Sequence, residues 1–119
     1  MSTPSIALVG CGYWGKNLAR NFLALGALHT LCDASAQTLA SYGAEYAGVK
    51  KVGAYPEVLA DTAVTAVAIA APAVLHHRLA KQALLAGKDV YVEKPLCLDL
   101  NEAEELVKLA NDLGRVLMV

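Results

Sequence analysis

Paired cysteines are missing from this chain. The three that occur, Cys11, Cys32 and Cys97, are odd in number, sit in apolar segments and show no C-x-x-C spacing. That argues against a zinc site or a disulfide framework and fits a reducing, cytoplasmic compartment. No apolar stretch approaches the ~18 residues of a membrane span, and the opening MSTPSIALVG lacks the basic region and long apolar run of a secretory leader. An excess of either charge is also absent: ten basic and eleven acidic residues leave a net charge of -1. They are spread along the chain, so there is no broad basic patch for nucleic acid or an anionic membrane. Any anion must be captured locally.

What is present is an apolar chain, 56% hydrophobic and 18% charged over 119 residues, which suits one globular domain spanning 1–119. Short apolar runs alternate with helical patterns and no low-complexity linker interrupts them, which predicts β-α-β units and a doubly wound parallel α/β sheet. Strands are expected at 5–9, 28–32, 65–70, 89–93 and 115–119, with a weaker one at 50–52. Leu18, Phe22 and Leu25 recur at helical spacing within a helix over 13–25, which Gly26 ends. Ser35 reads as the cap of a helix running to Tyr46, and a short helix is expected over 56–61. A further helix over 75–86 places Leu75, Leu79, Ala83 and Ala86 on one face. Asp99 and Glu102 form a capping-box pattern ahead of a helix whose buried face is expected to be Ala103, Leu106, Val107, Ala110 and Leu113, with Gly114 as its stop.

The segment VGCGYWGKN carries Gly10, Gly12 and Gly15 as G-x-G-x-x-G between the first strand and the first helix. In that context the first glycine permits a tight turn, the second lets backbone approach a pyrophosphate, and the third allows close helix-strand packing. Unpaired N–H groups around Tyr13 and Trp14, aided by the helix dipole, would supply local positive potential for a diphosphate. Asp33 ends the second strand, where such a fold sets an acid against the adenosine ribose hydroxyls. A carboxylate there repels a 2′-phosphate, and the following ASAQ offers no cation to receive one, so NAD is favoured over NADP. Lys16 reads either as a phosphate contact or as a solvated helix residue. Tyr13 and Trp14 either line the ligand cleft or pack on the top of the sheet.

Residues just after later strands should face the same crevice. These include Ala71 and Pro72, and Glu93, Lys94 and Pro95. Glu93 and Lys94 alone could equally be a surface ion pair. Pro95 reads either as a strand terminator or as a residue that sets the direction of Lys94, a cis bond being one way to do so. His76 and His77 are either polar residues at a helix start or ligand contacts.

Taken together, VGCGYWGKN, Asp33, AAPAVLHH and GKDVYVEKPLCLDLNEAEELVKLA resemble the glucose-fructose oxidoreductase, inositol dehydrogenase and rhizopine catabolism (Gfo/Idh/MocA) family over essentially the whole chain. The resemblance implies a Rossmann nucleotide-binding domain of an NAD(P)-dependent sugar or polyol oxidoreductase, followed by a substrate domain that this chain does not hold. It implies that Gly10, Gly12 and Gly15 form the dinucleotide loop and that Asp33 is the ribose acid. His76, preferred to His77, would lie near the cofactor and Glu93 near the nicotinamide ribose, with Lys94 as the active-site lysine. Ala71 departs from the family, where threonine is frequent, so a hydroxyl contact to the cofactor is absent. GYWGKNLARNF and GALHTLCD are most similar to family members that oxidise a UDP-linked N-acetyl sugar or its uronate at C3.

The expected whole is a cytoplasmic homo-oligomer acting on a sugar or nucleotide-sugar, with no nucleic-acid or membrane partner. The chain ends in an apolar strand, which reads as a fragment that is inactive alone and exposes apolar surface of its own. The competing reading is a non-catalytic nucleotide-binding module, or the relic of an interrupted gene.

Overall fold

The computed structural model describes residues 3–119. Six strands, Ile6–Val9 (β1), Leu28–Cys32 (β2), Lys50–Val52 (β3), Ala66–Ile69 (β4), Asp89–Val92 (β5) and Leu117–Met118 (β6), form one sheet in the order β3-β2-β1-β4-β5-β6. All pairings are parallel. Both faces of the central strands are covered, which is why IALV and AVAI are apolar throughout rather than alternating.

Helices Gly15–Ala24 (α1) and Ala36–Ala40 (α2) cover one face, whose buried cluster includes Leu8, Ala19, Leu31, Leu39 and Ala68. Helices Tyr55–Ala60 (α3), His76–Leu85 (α4) and Leu100–Leu113 (α5) cover the other, over Val9, Val67, Ile69, Val90 and Val92. Leu8 and Val9 thus go to opposite faces, as strand alternation requires. The first face is left open over β5 and β6, where Leu18, Phe22, Tyr91 and Met118 surround an apolar hollow of about 290 Å³.

The register levels the strand ends. Val9 pairs with Cys32 and Ile69, Ile69 with Val92, and Cys32 with Val52. Gly10, Asp33, Gly53, Ala70 and Glu93 therefore leave the sheet along one edge. Strand order reverses between β1 and β4, and a crevice opens at that point.

Several expected boundaries move. Helix α1 begins at Gly15 rather than Tyr13, and Leu25, its C-cap, is 72% exposed, while Ala19 takes the buried position. Helix α2 lasts five residues instead of running to Tyr46: a 3-10 turn at Ala44–Tyr46 follows Gly43, and this swings the rings of Tyr42 and Tyr46 into a buried edge-to-face pair. A 3-10 turn at Ala73–Leu75 precedes α4, and Ala86 is exposed because it already lies beyond the last helical residue.

On α5 only Leu106 and Ala110 are fully buried, while Val107 and Leu113 face outward with Leu98 and Leu100. Half of the capping box forms. The Asp99 carboxylate accepts from the N–H groups of Asn101 and Glu102, whereas the Glu102 carboxylate lies against the His77 ring at 3.1 Å. Gly114 stops the helix in the left-handed conformation, as the sequence pattern indicates.

The turn before β5 is anchored by a buried cation. The ammonium of Lys88 donates to the carbonyls of Asp61 at 2.8 Å and Val64 at 2.7 Å, tying that turn to the approach to β4. No helix among the described residues is long and apolar enough to cross a membrane.

Candidate dinucleotide site

Between β1, β2 and β4 lies a cleft of about 370 Å³. Of the residues singled out from the sequence, Gly10, Gly12, Asp33, Ala71 and Pro72 border it together. Ala34, Gly53, Tyr55, Leu75 and Leu79 also line it and were not anticipated. Gly53 follows a strand end, so the rule that selected Asp33 also points to it. Tyr55 and Leu79 carried no local signal, because what aims them at the cleft is a tertiary bond from the Tyr55 hydroxyl to the Leu79 carbonyl at 2.6 Å.

The three motif glycines have three different surroundings. Gly10 takes φ +92, and a Cβ there would stand 2.5 Å from the Ala71 nitrogen. On Gly15 a Cβ would stand 2.2 Å from the Gly10 carbonyl oxygen, so the helix rests directly on the loop. A Cβ on Gly12 would meet nothing within 4 Å. Two of the glycines let the chain fold upon itself, and the third keeps a space open.

The loop backbone is held from both sides of Cys11. Its N–H donates to Asp33 Oδ2 at 2.9 Å, and its carbonyl accepts from the Tyr42 hydroxyl at 2.9 Å. Asp33 Oδ1 accepts from the Ser35 N–H at 2.8 Å. Each carboxylate oxygen has further lone-pair capacity, so Asp33 braces the loop and still presents acceptors at the cleft. Tyr13 is 92% exposed and Trp14 51%, with their rings in solvent rather than on the sheet. Among the described residues, the N–H groups of Gly12, Tyr13 and Trp14 have no backbone partner, as expected ahead of a first helical turn.

Glu93, Lys94 and Pro95 follow β5, the Lys94–Pro95 bond being cis. Lys94 is exposed, and the Glu93 carboxylate accepts from the Tyr91 hydroxyl at 3.0 Å. His76 is 2% exposed and engages the carbonyls of Ala71 and Pro95, both at 2.7 Å. His77 turns away to Glu102 and Glu105 and ties α4 to α5.

Burial, reinforced by the charge of Asp33, pushes the Cys11 thiol up to about 12, and burial likewise takes Cys32 to about 11. Both thiols are neutral in the fold. An unfolded chain loses these protons near the ordinary value of 9.0, so the stability tied to the neutral thiols is complete below that pH and drains away as pH climbs toward the folded values. The urea midpoint is expected to fall steadily above about pH 9. A midpoint that stays level to about pH 10.5 would contradict these shifts.

A parallel sheet in the order 3-2-1-4-5-6, with a glycine loop at its switch point and an acid ending the second strand, defines a dinucleotide-binding Rossmann domain. The chain belongs to the Gfo/Idh/MocA oxidoreductases: the model of that family, described as an oxidoreductase family with an NAD-binding Rossmann fold, matches residues 5–119.

Among its relatives is the UDP-N-acetylglucosamine 3-dehydrogenase of Acidithiobacillus ferrooxidans, 33% identical over 113 residues, which cover 94% of this chain and 35% of the relative. GenD2 from gentamicin A biosynthesis, solved in complex with NAD, superposes with a TM-score of 0.90 at 30% identity, over 99% of this chain and 34% of that one. KijD10, a 3-ketoreductase from Actinomadura kijaniata solved as a variant with TDP-benzene and NADP, gives 0.87 at 30% identity, over 98% and 38%. The chain therefore spans about a third of these relatives.

Proposed function

We propose that this chain is the cofactor-binding part of an NAD-dependent oxidoreductase that moves a hydride between nicotinamide C4 and a carbinol carbon of a sugar, nucleotide-sugar or polyol. The observation that carries the reading is the open space at Gly12 beside the braced carboxylate of Asp33. The cleft suits the adenosine half, and the free N–H groups of Gly12, Tyr13 and Trp14 suit the diphosphate. Asp33 accepts from the ribose hydroxyls and disfavours a 2′-phosphate. Bound NAD supplies the hydride acceptor.

Lys94, exposed at the end of β5, donates a hydrogen bond to the substrate oxygen and stabilises the charge that develops there. Glu93 and Pro95 shape the nicotinamide side of the same edge. The relatives' greater length supports a further substrate domain, without which residues 1–119 do not turn over. The apolar residues left in solvent, Leu98, Leu100 and Val107 among them, support assembly as a homo-oligomer, and the three free cysteines suit a reducing cytoplasm. The UDP-linked sugar that one relative is named for and the TDP group bound by KijD10 support a nucleotide-linked sugar.

The test is a titration of the chain with NAD and with NADP, read through Trp14, its single tryptophan, which borders the loop. NAD is expected to bind about tenfold or more tightly, the cost of placing a phosphate against Asp33. Equal affinities would remove Asp33 from its role, and binding of neither would overturn the reading.

A further inference from the structure

His76 lies on the first turn of α4 and is 2% exposed. Its ring does not border the cleft. Nε2 faces the carbonyl of Ala71 and Nδ1 that of Pro95, each at 2.7 Å. A carbonyl oxygen only accepts, so a protonated ring nitrogen donates to the carbonyl it faces.

The two carbonyls belong to different loops. Ala71 follows β4 and lies beside Gly10, while Pro95 follows β5 and is bonded directly to Lys94. The β4–β5 ladder closes with the Glu93 N–H donating to Ile69 at 2.9 Å. Beyond that point, among the described residues, no backbone hydrogen bond joins the two loops. The imidazole of His76 is what spans them.

We propose that His76 is a positioning residue and not a cofactor ligand: by holding the Ala71 and Pro95 carbonyls at its two ring edges, it sets the spacing of the β4 and β5 loops and thereby the place of Lys94 at the nicotinamide end. The proposal rests on the reading of the cleft given above. A leucine at this position fills the volume and leaves both carbonyls in the interior without a donor. Glutamine keeps one amide nitrogen able to donate but opposes an oxygen to the second carbonyl.

Two probes separate this role from a general contribution to folding. ADP occupies only the adenosine and diphosphate half, whereas NAD also carries the second ribose and the nicotinamide toward the β5 loop. In His76→Leu, ADP affinity is expected to stay within about twofold while NAD affinity falls by about tenfold, with His76→Gln in between. Equal loss of both, or loss of neither, in whichever variant folds overturns the positioning role.

Direct contact with the cofactor is distinguished by long-range proton–nitrogen spectra of the unsubstituted protein. Both ring nitrogens of His76 are expected to keep their shifts when NAD is added. A ring nitrogen whose shift moves on saturation overturns the proposal. Failure of the unsubstituted protein to bind either probe would instead refute the dinucleotide site itself.

Discussion

Gly12→Val is expected to abolish NAD binding, weakening it by about 100-fold or more, while leaving the thermal midpoint within about 3 °C of the unsubstituted protein. The φ of Gly12 is not in the left-handed region, and a Cβ built there touches nothing within 4 Å. The fold thus has no use for the missing side chain. The space has value only if something else enters it, and the free N–H groups of Gly12, Tyr13 and Trp14 are suited to a diphosphate. Two isopropyl methyls at that point would hold the phosphates off the amides. Titration calorimetry beside a melting curve separates the two effects, and unchanged affinity in a folded Gly12→Val protein would mean that the loop is not the site.

Gly15→Ala should do the opposite. A methyl at 2.2 Å from the Gly10 carbonyl oxygen and 3.1 Å from its carbon meets backbone, which cannot rotate away as a side chain would. Either α1 lifts from the loop or the loop leaves the sheet edge, and each loses the packing of Ala19 and Leu8. The expected cost is about 3 kcal/mol or more, seen as a midpoint lowered by about 10 °C or more. Cofactor binding should be lost only as far as the folded population is lost. A midpoint equal to that of the unsubstituted protein would show that the close approach between α1 and the loop is not maintained in solution. One short motif thus yields a variant that folds without binding and another that fails before binding can be asked.

How much of this was visible beforehand differs from element to element. The strand at 28–32 and the faint one at 50–52 stand where the sequence places them, and the other strands lie inside their expected ranges. The two central strands, IALV and AVAI, leave a signal that survives without neighbours, because a strand buried on both faces is apolar at every position, whereas 50–52 is a short edge strand with two exposed lysines. Helix ends set by glycine were equally legible at Gly26 and Gly114.

The errors share a cause. Ser35 to Tyr46 has helical periodicity, yet Tyr42 leaves the helix and its hydroxyl reaches the Cys11 carbonyl thirty-one residues away. Glu102 sits at the right spacing for a capping box, yet its carboxylate goes to His77 on another helix. Val107 and Leu113 match the apolar period of α5, but the sheet beneath reaches only Leu106 and Ala110. In each case two partners were chemically suitable, and the spacing along the chain contained only one of them.

For the site, the glycines and Asp33 were legible because a phosphate-binding turn needs bare backbone at fixed intervals, a demand written locally. The same reasoning placed Ala71, Pro72, Glu93, Lys94 and Pro95 at strand ends but could not say which of them border the cleft. His76 is the sharpest instance: the sequence offers a polar residue at a helix start, and the fold buries it between two carbonyls.

Composition and periodicity alone determined that the chain is a parallel α/β domain with a nucleotide loop after its first strand, since burial on both faces and close backbone approach each restrict residue type position by position. Only the tertiary structure decided which polar groups meet. Hydrogen bonds between distant elements are selected by the register of the sheet and the seating of the helices, and that geometry exists only once the whole domain has closed.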